Sequence, residues 1–225
     1  MAEQLILSNG IIQATFSTKG AELLSVIKDG QEKIWIGDPD VWPAHAPFLF
    51  PICGGLKDDK YIYEGKEYTL QKHGYIRFAE FEVESQTDTK LVFLHRWDDE
   101  TISQFPFHYE LRVIYTLEGS ELKVDYNVKN LDESDMYYSI GAHEGYYCPE
   151  GIEEYSVIFD KSEDLDSNIL SGNLLERDII NVGKNTCELP LKYEYFEVDA
   201  LVFLNLKSRK VLLKNIKTGK EISLE

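Results

Sequence analysis

Long apolar segments are absent from this 225-residue chain. No stretch approaches the roughly 18 consecutive apolar residues that a membrane-spanning helix needs. The first residues, MAEQLILSNG, contain neither a basic segment nor a long apolar segment, so they do not resemble a signal peptide. The three cysteines, Cys53, Cys148 and Cys187, are widely spaced, odd in number and form no CxxC pair. These absences predict a cytoplasmic protein with reduced thiols that does not associate with a membrane.

Basic residues are scarce relative to acidic ones. The chain has 40 acidic and 23 basic residues, which give a formal net charge of −17. The electrostatic field of a protein with this net charge repels nucleic acid, so we predict no nucleic-acid partner. The acidic residues are dispersed rather than gathered in a run, which is typical of a solvated acidic surface.

Sustained helical periodicity is also missing, and almost every periodic segment alternates with the period of a β-strand. Four pairs of such segments flank short turn sequences that are typical of hairpins: Asn9-Gly10, Glu64-Gly65, Glu118-Gly119-Ser120 and Lys217-Thr218-Gly219. The Asn-Gly pair predicts a type I′ turn. We therefore predict one all-β domain over residues 1–225, a large antiparallel β-sandwich.

Two segments carry more specific predictions. The polar stretch from Lys161 to Asn185 predicts a loop with one short helical turn. The run ALVFLNL, residues 200–206, is apolar on both faces and predicts a strand buried between stacked sheets.

Known metal and nucleophile motifs are absent as well. No HxH or HExxH pattern joins the five histidines, which are His45, His73, His95, His108 and His143. This argues against a zinc hydrolase or a metal-binding cupin barrel. The sequence also has no GxSxG motif and no phosphate-binding GxxxxGK[ST] motif. Acid–base chemistry by histidine and carboxylate is the option that stays open.

The stretch SIGAHEGYY places His143 between Gly141 and Gly145. On an extended strand these three residues share one face and Glu144 points to the other. A histidine of this kind, taken alone, is more often structural. The flanking glycines favour a different interpretation, in which they leave space for a ligand to reach the imidazole ring.

Three further segments each have a structural and a functional interpretation. In QKHGYIRF, the side chains of His73, Tyr75 and Arg77 share a face if the segment is extended. They could then donate hydrogen bonds to a hydroxyl-rich ligand, or belong to a hairpin end. Asp199, in EVDALVFL, is either a turn residue or an acceptor for ligand hydroxyls. The segment FLFPICGGLKDDKY either lines a cleft or forms a bulge.

Together these segments resemble the aldose 1-epimerase (galactose mutarotase) family. The segments PFLFPICGGLKDDKYIYEGKEYTLQKHGYIR, SIGAHEGYY and FEVDALVFLNLKSRKVLL follow in the family's order, and the likeness runs along nearly the whole chain. The chain is most similar to the compact bacterial branch with an HGFAR-like motif. The resemblance implies a galactose mutarotase-like supersandwich fold and interconversion of the α and β anomers of a free aldose. It also implies no metal or organic cofactor, a monosaccharide substrate of the glucose or galactose type, and a monomer or homodimer.

The resemblance assigns roles to individual residues. It makes His143 the general acid, and it makes His73 a catalytic residue that binds and polarises the sugar. Arg77 and Asp199 fall on sugar-binding positions. Lys57 lies near the position where the family usually has arginine and this chain has Gly55. With Tyr75 from the donor cluster, these residues form the predicted substrate-binding set.

Two further departures from the family pattern affect the prediction. Glu144 stands where proline is usual, and the EPWxG-like motif that carries the family's base glutamate does not occur. We therefore expect the domain to lack its last strands and its general base. A missing base favours an alternative function, a non-catalytic carbohydrate-binding or sugar-sensing domain. A polysaccharide lyase or glycosidase domain is a third possibility, but no paired carboxylates support it.

Overall fold

A computed structural model of the chain describes residues 2–197 and 199–225. These residues form two compact units, one ending at Tyr147 and the other beginning at Cys148. Antiparallel strands make up most of the regular structure in both units, which confirms the predicted all-β class. The organisation of residues 1–225 as a single domain stays a prediction.

The first unit contains two four-stranded antiparallel sheets among its described residues. In chain order its strands and helix are β1 (Gln4–Ser8), β2 (Ile12–Ser17), β3 (Leu23–Lys28), β4 (Gln31–Glu32), β5 (Phe48–Leu49), β6 (Lys60–Tyr63), β7 (Lys66–Thr69), β8 (Glu82–Gln86), β9 (Lys90–Arg96), α1 (Asp99–Gln104), β10 (Tyr109–Glu118), β11 (Glu121–Asn130) and β12 (Gly141–Ala142). One four-stranded sheet has the order β1-β2-β3-β4 and the other has the order β11-β10-β9-β8. Strands β12 and β5 form a two-stranded sheet, and so do β6 and β7.

The core of the first unit follows from strict alternation along β10. Every second residue of this strand is buried, namely Tyr109, Leu111, Val113, Tyr115 and Leu117. Because successive side chains of a strand point to opposite faces, one face of β10 packs into the core. Strands β9 and β11 flank β10 on its two sides.

The helix α1 was not visible as a sequence periodicity because it has only six residues. Its start is fixed by a capping box: the Asp98 side chain accepts a hydrogen bond from the Thr101 backbone, and the Thr101 side chain accepts one from the Asp98 backbone. Among the residues that the structure describes, no helix is long and apolar enough to cross a membrane.

The hairpin turns correct one prediction. In the turn between β1 and β2, Gly10 has φ +83° but Asn9 does not have a positive φ. A type I′ turn needs positive φ at both central residues, so the prediction of that type was wrong here. Instead, the Asn9 side chain accepts hydrogen bonds from the backbone N–H groups of Ile11 and Ile12. The β6–β7 hairpin does have two such residues in sequence, Glu64 at φ +49° and Gly65 at φ +79°.

The second unit contains a four-stranded antiparallel sheet and a hairpin among its described residues. Its strands are β13 (Tyr155–Glu163), β14 (Asp166–Ser171), β15 (Leu174–Asn181), β16 (Thr186–Pro190), β17 (Val211–Asn215) and β18 (Glu221–Leu224). The sheet has the order β16-β13-β17-β18, and β14 pairs with β15. Phe159, Leu165 and Leu189 are the buried residues of its small core.

Two predictions in the second unit were wrong. The stretch predicted as a loop is mainly the β14–β15 hairpin, which turns at Gly172 with φ +59°. Every residue of β15 is exposed, so its sequence shows no buried-face alternation. The predicted buried strand over residues 200–206 does not form: Val202 makes only an isolated bridge with Asn168, and Leu204 is 59% exposed.

Candidate active site

The segment FLFPICGG holds together the two motifs that carry the candidate catalytic histidines. On one side, β5 pairs with β12, and the Ser139 N–H donates to the Pro51 carbonyl at 2.8 Å. On the other side, Phe50 forms a parallel bridge with Gly74. One stretch of backbone therefore lies between the motif that contains His143 and the motif that contains His73.

The glycine that follows His73 is required by this close approach. Gly74 has φ +69°, a conformation that glycine adopts at little steric cost. A Cβ atom at this position would lie 2.2 Å from the Phe50 carbonyl oxygen. The HG pair of the motif thus reflects contact between two backbones.

The rings of His73 and His143 lie edge to face, with their centroids 5.7 Å apart. The His73 N–H donates to the Gly54 carbonyl at 2.8 Å, and the Gly54 N–H donates to His73 Nδ1 at 3.0 Å. Because Nδ1 accepts a hydrogen bond, it carries no proton, and the proton of the neutral ring lies on Nε2. His73 is therefore oriented as a hydrogen-bond donor through Nε2.

His143 differs from His73 because its side chain is exposed and less constrained. Its ring centroid lies 5.2 Å from that of Trp42, at an interplanar angle of 41°. Within residues 2–197 and 199–225, no group hydrogen-bonds the ring. Both of its nitrogens are therefore accessible to a ligand.

Glu144 is more buried than its neighbour His143, and both residues follow the end of β12 at Ala142. Its side chain is half-buried, and burial raises the pKa of the Glu144 carboxyl, while the charge of His143 opposes that shift more weakly. The carboxyl also interacts electrostatically with Tyr126 and Tyr146, whose pKa values are raised mainly by burial. The Glu144 carboxyl is thus partly withdrawn from solvent near these tyrosines, whereas the His143 side chain is exposed.

The glycines that flank His143 do not open a space for a ligand. A Cβ atom at Gly141 would lie 2.8 Å from the Cys53 sulfur. One at Gly145 would lie 2.7 Å from Trp35 Cβ and 2.9 Å from Trp42 Cζ3. Protein atoms already fill the space beside both glycines, so the interpretation that they leave space for a ligand was wrong.

Tyr75 is a core residue and not a ligand contact. It is 7% exposed, its hydroxyl lies 3.2 Å from that of Tyr109, and the Tyr109 hydroxyl lies 3.1 Å from His95 Nδ1. Burial, with the neighbouring Tyr109, raises the pKa of Tyr75 far above its ordinary value. The segment is not extended either, because Ile76–Phe78 forms a 3₁₀ turn. The prediction that Tyr75 binds substrate was therefore wrong.

Arg77 lies within this turn and keeps part of its hydrogen-bonding capacity unused. Its side chain is half-buried, and burial lowers the pKa of the guanidinium. Nη2 donates to the Lys72 carbonyl at 3.4 Å, and Cζ lies 4.7 Å from the centre of the Phe78 ring. The buried Nε has no hydrogen-bond partner in the described part of the chain. The role of Arg77 in sugar binding stays a prediction.

Lys57 and Asp199 are exposed, and their roles also stay predictions. Lys57 begins the 3₁₀ turn Lys57–Asp59 of the first unit. Asp199 belongs to the second unit and follows Val198, which lies outside the described residues. In the ranges that the structure describes, no group of three or more His, Cys, Asp and Glu residues could hold a metal ion.

One cavity of about 420 Å³ lies elsewhere in the first unit. Its lining residues are Ile6, Ser8, Gln86, Thr87 and Asp88. None of them was predicted to bind or transform a ligand, and no aromatic ring or histidine lines the cavity. The candidate site is therefore defined by the histidine pair and not by this cavity.

Sequence reasoning did not single out Trp42. It lies in a loop with no periodic pattern, three residues before His45 and far along the chain from His143. Only the pairing of backbones around Gly145 brings the two rings together, so no sequence signal indicates the contact.

Comparisons with known proteins bear on the whole chain. The model of the family described as Aldose 1-epimerase matches residues 3–212. The plasmid-encoded protein LacX of Lactococcus lactis subsp. lactis is 35% identical, over 97% of this chain and 78% of its own length. A galactose mutarotase related enzyme from Lactobacillus acidophilus has a TM-score of 0.91 at 32% identity, over 98% of this chain and 76% of its own.

A galactose mutarotase-like protein from Lactobacillus casei ATCC 334 has a TM-score of 0.89 at 27% identity, over 98% of this chain and 78% of its own. These likenesses confirm the predicted antiparallel fold of the galactose mutarotase type. Together with the family match, they identify the group of proteins to which the sequence is related. The chain belongs to the aldose 1-epimerase family.

Proposed function

We propose that this protein is an aldose 1-epimerase, an isomerase that interconverts the α and β anomers of a free monosaccharide of the glucose or galactose type in the cytoplasm. The observation that carries the proposal is the histidine pair. Two rings from separate family-like motifs lie 5.7 Å apart, one exposed and one oriented as a donor. Both features suit acid–base chemistry on a hydroxyl-rich substrate.

Anomer exchange requires two coupled proton movements. An acid protonates the ring oxygen while a base removes the proton of the C1 hydroxyl, and the bond between C1 and the ring oxygen breaks. The products of this step are an open-chain aldehyde and a new hydroxyl. After rotation about the C1–C2 bond, the reverse steps close the ring on the other face of the carbonyl. A correctly placed acid or base contributes about 10²–10⁴-fold to such a reaction.

Each candidate residue has a role in this scheme. His143 is the acid that protonates the ring oxygen, because its ring is exposed and imidazolium can give up a proton near neutral pH. His73 donates a hydrogen bond to the sugar through Nε2. Arg77 and Lys57 are positively charged donors for hydroxyls, and Asp199 is an acceptor. We assign the base to no residue of this chain.

A sugar-binding role without turnover is the second candidate. The burial of Glu144 favours it, because burial raises the pKa of this carboxyl and so disfavours the carboxylate form that a base requires. Binding needs the hydrogen-bonding groups of the site but not a base.

NMR exchange spectroscopy on equilibrated glucose and galactose separates these functions. The proposed activity predicts an α-to-β exchange rate that rises in proportion to protein concentration. Binding of methyl glycosides, which cannot open their rings, is measured in parallel. Binding without faster exchange would favour the second candidate, and neither binding nor exchange would contradict both.

A further inference from the structure

Trp42 lies in a loop whose two ends, at Trp35 and His45, both form backbone hydrogen bonds with Gly145. At one end the Trp35 N–H donates to the Gly145 carbonyl at 2.8 Å, and at the other the Gly145 N–H donates to the His45 carbonyl at 2.8 Å. The Glu22 carboxylate accepts hydrogen bonds from the backbones of His45 and Ala46, at 2.7 and 3.1 Å. The loop is therefore bound to the segment that carries His143.

The indole itself is positioned from within the loop. The Trp35 indole N–H donates to the Trp42 carbonyl at 2.7 Å, and the Trp42 N–H donates to the Asp38 carbonyl at 2.8 Å. The neighbouring Val41 is 73% exposed, whereas Trp42 is half-buried. The loop thus presents Trp42 inward against Gly145 and His143.

Trp42 is not part of the hydrophobic core of the first unit. Among the described residues, it belongs neither to the buried core cluster of the first unit nor to the partly buried residues that pack on it. Its indole N–H also has no hydrogen-bond partner in residues 2–197 and 199–225. A large aromatic surface with an available donor therefore lies 5.2 Å from the His143 ring, as measured between ring centres.

We propose that Trp42 is the stacking wall of the sugar site. A pyranose has apolar C–H groups on its faces and hydroxyls around its edge. An indole can cover such a face and offer its N–H to a hydroxyl, as ligand sites commonly combine aromatic walls with a few polar groups. Trp42 would hold the pyranose beside His143, where the ring oxygen receives its proton. This inference rests on the proposed binding of an aldose at the histidine pair.

The test compares Trp42→Leu with a matched control, Trp97→Leu. Trp97 is also partly exposed and also contacts a histidine, because its ring centroid lies 4.2 Å from that of His108. Neither Trp97 nor His108 belongs to the proposed site. The substitution at Trp42 keeps the carbonyl that Trp35 uses, and near-ultraviolet circular dichroism checks that each variant is folded. Trp42→Tyr, which keeps an aromatic ring, replaces Trp42→Leu if the leucine variant does not fold.

Three quantities are measured: the KM and kcat of anomer exchange for galactose and glucose, the affinity for methyl galactoside and methyl glucoside, and the change in tryptophan fluorescence on binding. We expect Trp42→Leu to raise KM by about three- to tenfold with a smaller effect on kcat, since loss of one aromatic contact has roughly that effect on affinity. We expect the same variant to lose most of the fluorescence change. The Trp97→Leu variant should match the wild type in KM and in the size of the fluorescence response.

The outcomes separate this inference from the proposed function. If the wild type binds methyl glycosides without accelerating exchange, and Trp42→Leu weakens that binding while Trp97→Leu does not, the role of Trp42 is supported and the epimerase activity is not. If the wild type accelerates exchange and a folded Trp42→Leu or Trp42→Tyr variant keeps the wild-type KM and fluorescence response, the proposed role of Trp42 is refuted and the epimerase activity is not. A wild type that neither binds nor exchanges refutes both.

Discussion

The two glycines beside His143 provide a sharp prediction, because the structure gives them unequal surroundings. Neither has a φ in the left-handed region, so alanine is conformationally allowed at both positions. At Gly145 the new Cβ would meet Trp35 Cβ at 2.7 Å and the His45 carbonyl oxygen at 2.9 Å, which are atoms that cannot move independently of the backbone. At Gly141 it would meet only the tip of the exposed Cys53 side chain at 2.8 Å.

The magnitudes follow from these contacts. Gly145→Ala forces the loop away from the strand, and overpacking of this kind costs about 1–3 kcal/mol of unfolding free energy. Gly141→Ala requires only a new rotamer of Cys53, at a cost below about 1 kcal/mol. In both variants, reduced freedom of the unfolded chain offsets about 0.4–1 kcal/mol. We therefore expect Gly145→Ala to be destabilised by about 1–2 kcal/mol and Gly141→Ala to be nearly neutral.

Urea unfolding, followed by circular dichroism, measures this difference. For proteins of this size each 1 kcal/mol also shifts Tm by about 2–4 °C, which gives an independent check. Equal stability of the two variants, or greater damage at Gly141, would refute the packing derived from the structure. If both variants kept their stability and lost affinity for methyl glycosides, the glycines would instead border an open cleft.

Two further predictions concern buried groups. Tyr75→Phe should lower the free energy of unfolding by about 0.5–1.5 kcal/mol in urea titrations, because one buried hydrogen bond is lost, and should leave the KM for sugars unchanged; a raised KM with unchanged stability would return Tyr75 to the site. Because burial raises the pKa of Glu144, its contribution to stability is present below its ordinary pKa of 4.5 and is lost as pH rises through the raised value. The Glu144→Gln variant should lack this loss. Its urea midpoints, measured from pH 4 to 8, should therefore fall less steeply with rising pH than those of the wild type. If the two proteins gave parallel curves of midpoint against pH, the pKa of Glu144 would not be raised in the folded state.

The sequence predicted most of the fold where one face of a strand is buried. Strand β10 alternates strictly, and the turn sequences around Glu64-Gly65 and Gly119 mark hairpins that the structure contains. The alternation signal fails for β15, since both of its faces are exposed. It fails in the opposite way for residues 200–206, where apolar residues lie in irregular structure.

The candidate site was predictable as a set of motifs but not as a geometry. Family-like motifs indicated His73 and His143, and the structure places their rings 5.7 Å apart. The sequence did not reveal that Tyr75 turns into the core, because that depends on the 3₁₀ turn after it. The contact of Trp42 with His143 depends on a loop of irregular backbone, and the sequence of such a loop has no periodic pattern.

Proton transfer by His143 is the central claim, and one NMR measurement tests it most directly. Anomer exchange rates of glucose and galactose are compared for the wild type, His143→Gln and the control His108→Gln. The glutamine amide can donate a hydrogen bond but cannot transfer a proton, so we expect His143→Gln to lose about 10²-fold or more in kcat. The control should retain the wild-type rate, because His108 pairs with Asp132 outside the proposed site. A folded His143→Gln variant with the wild-type rate, or a wild type no faster than buffer, would contradict the account.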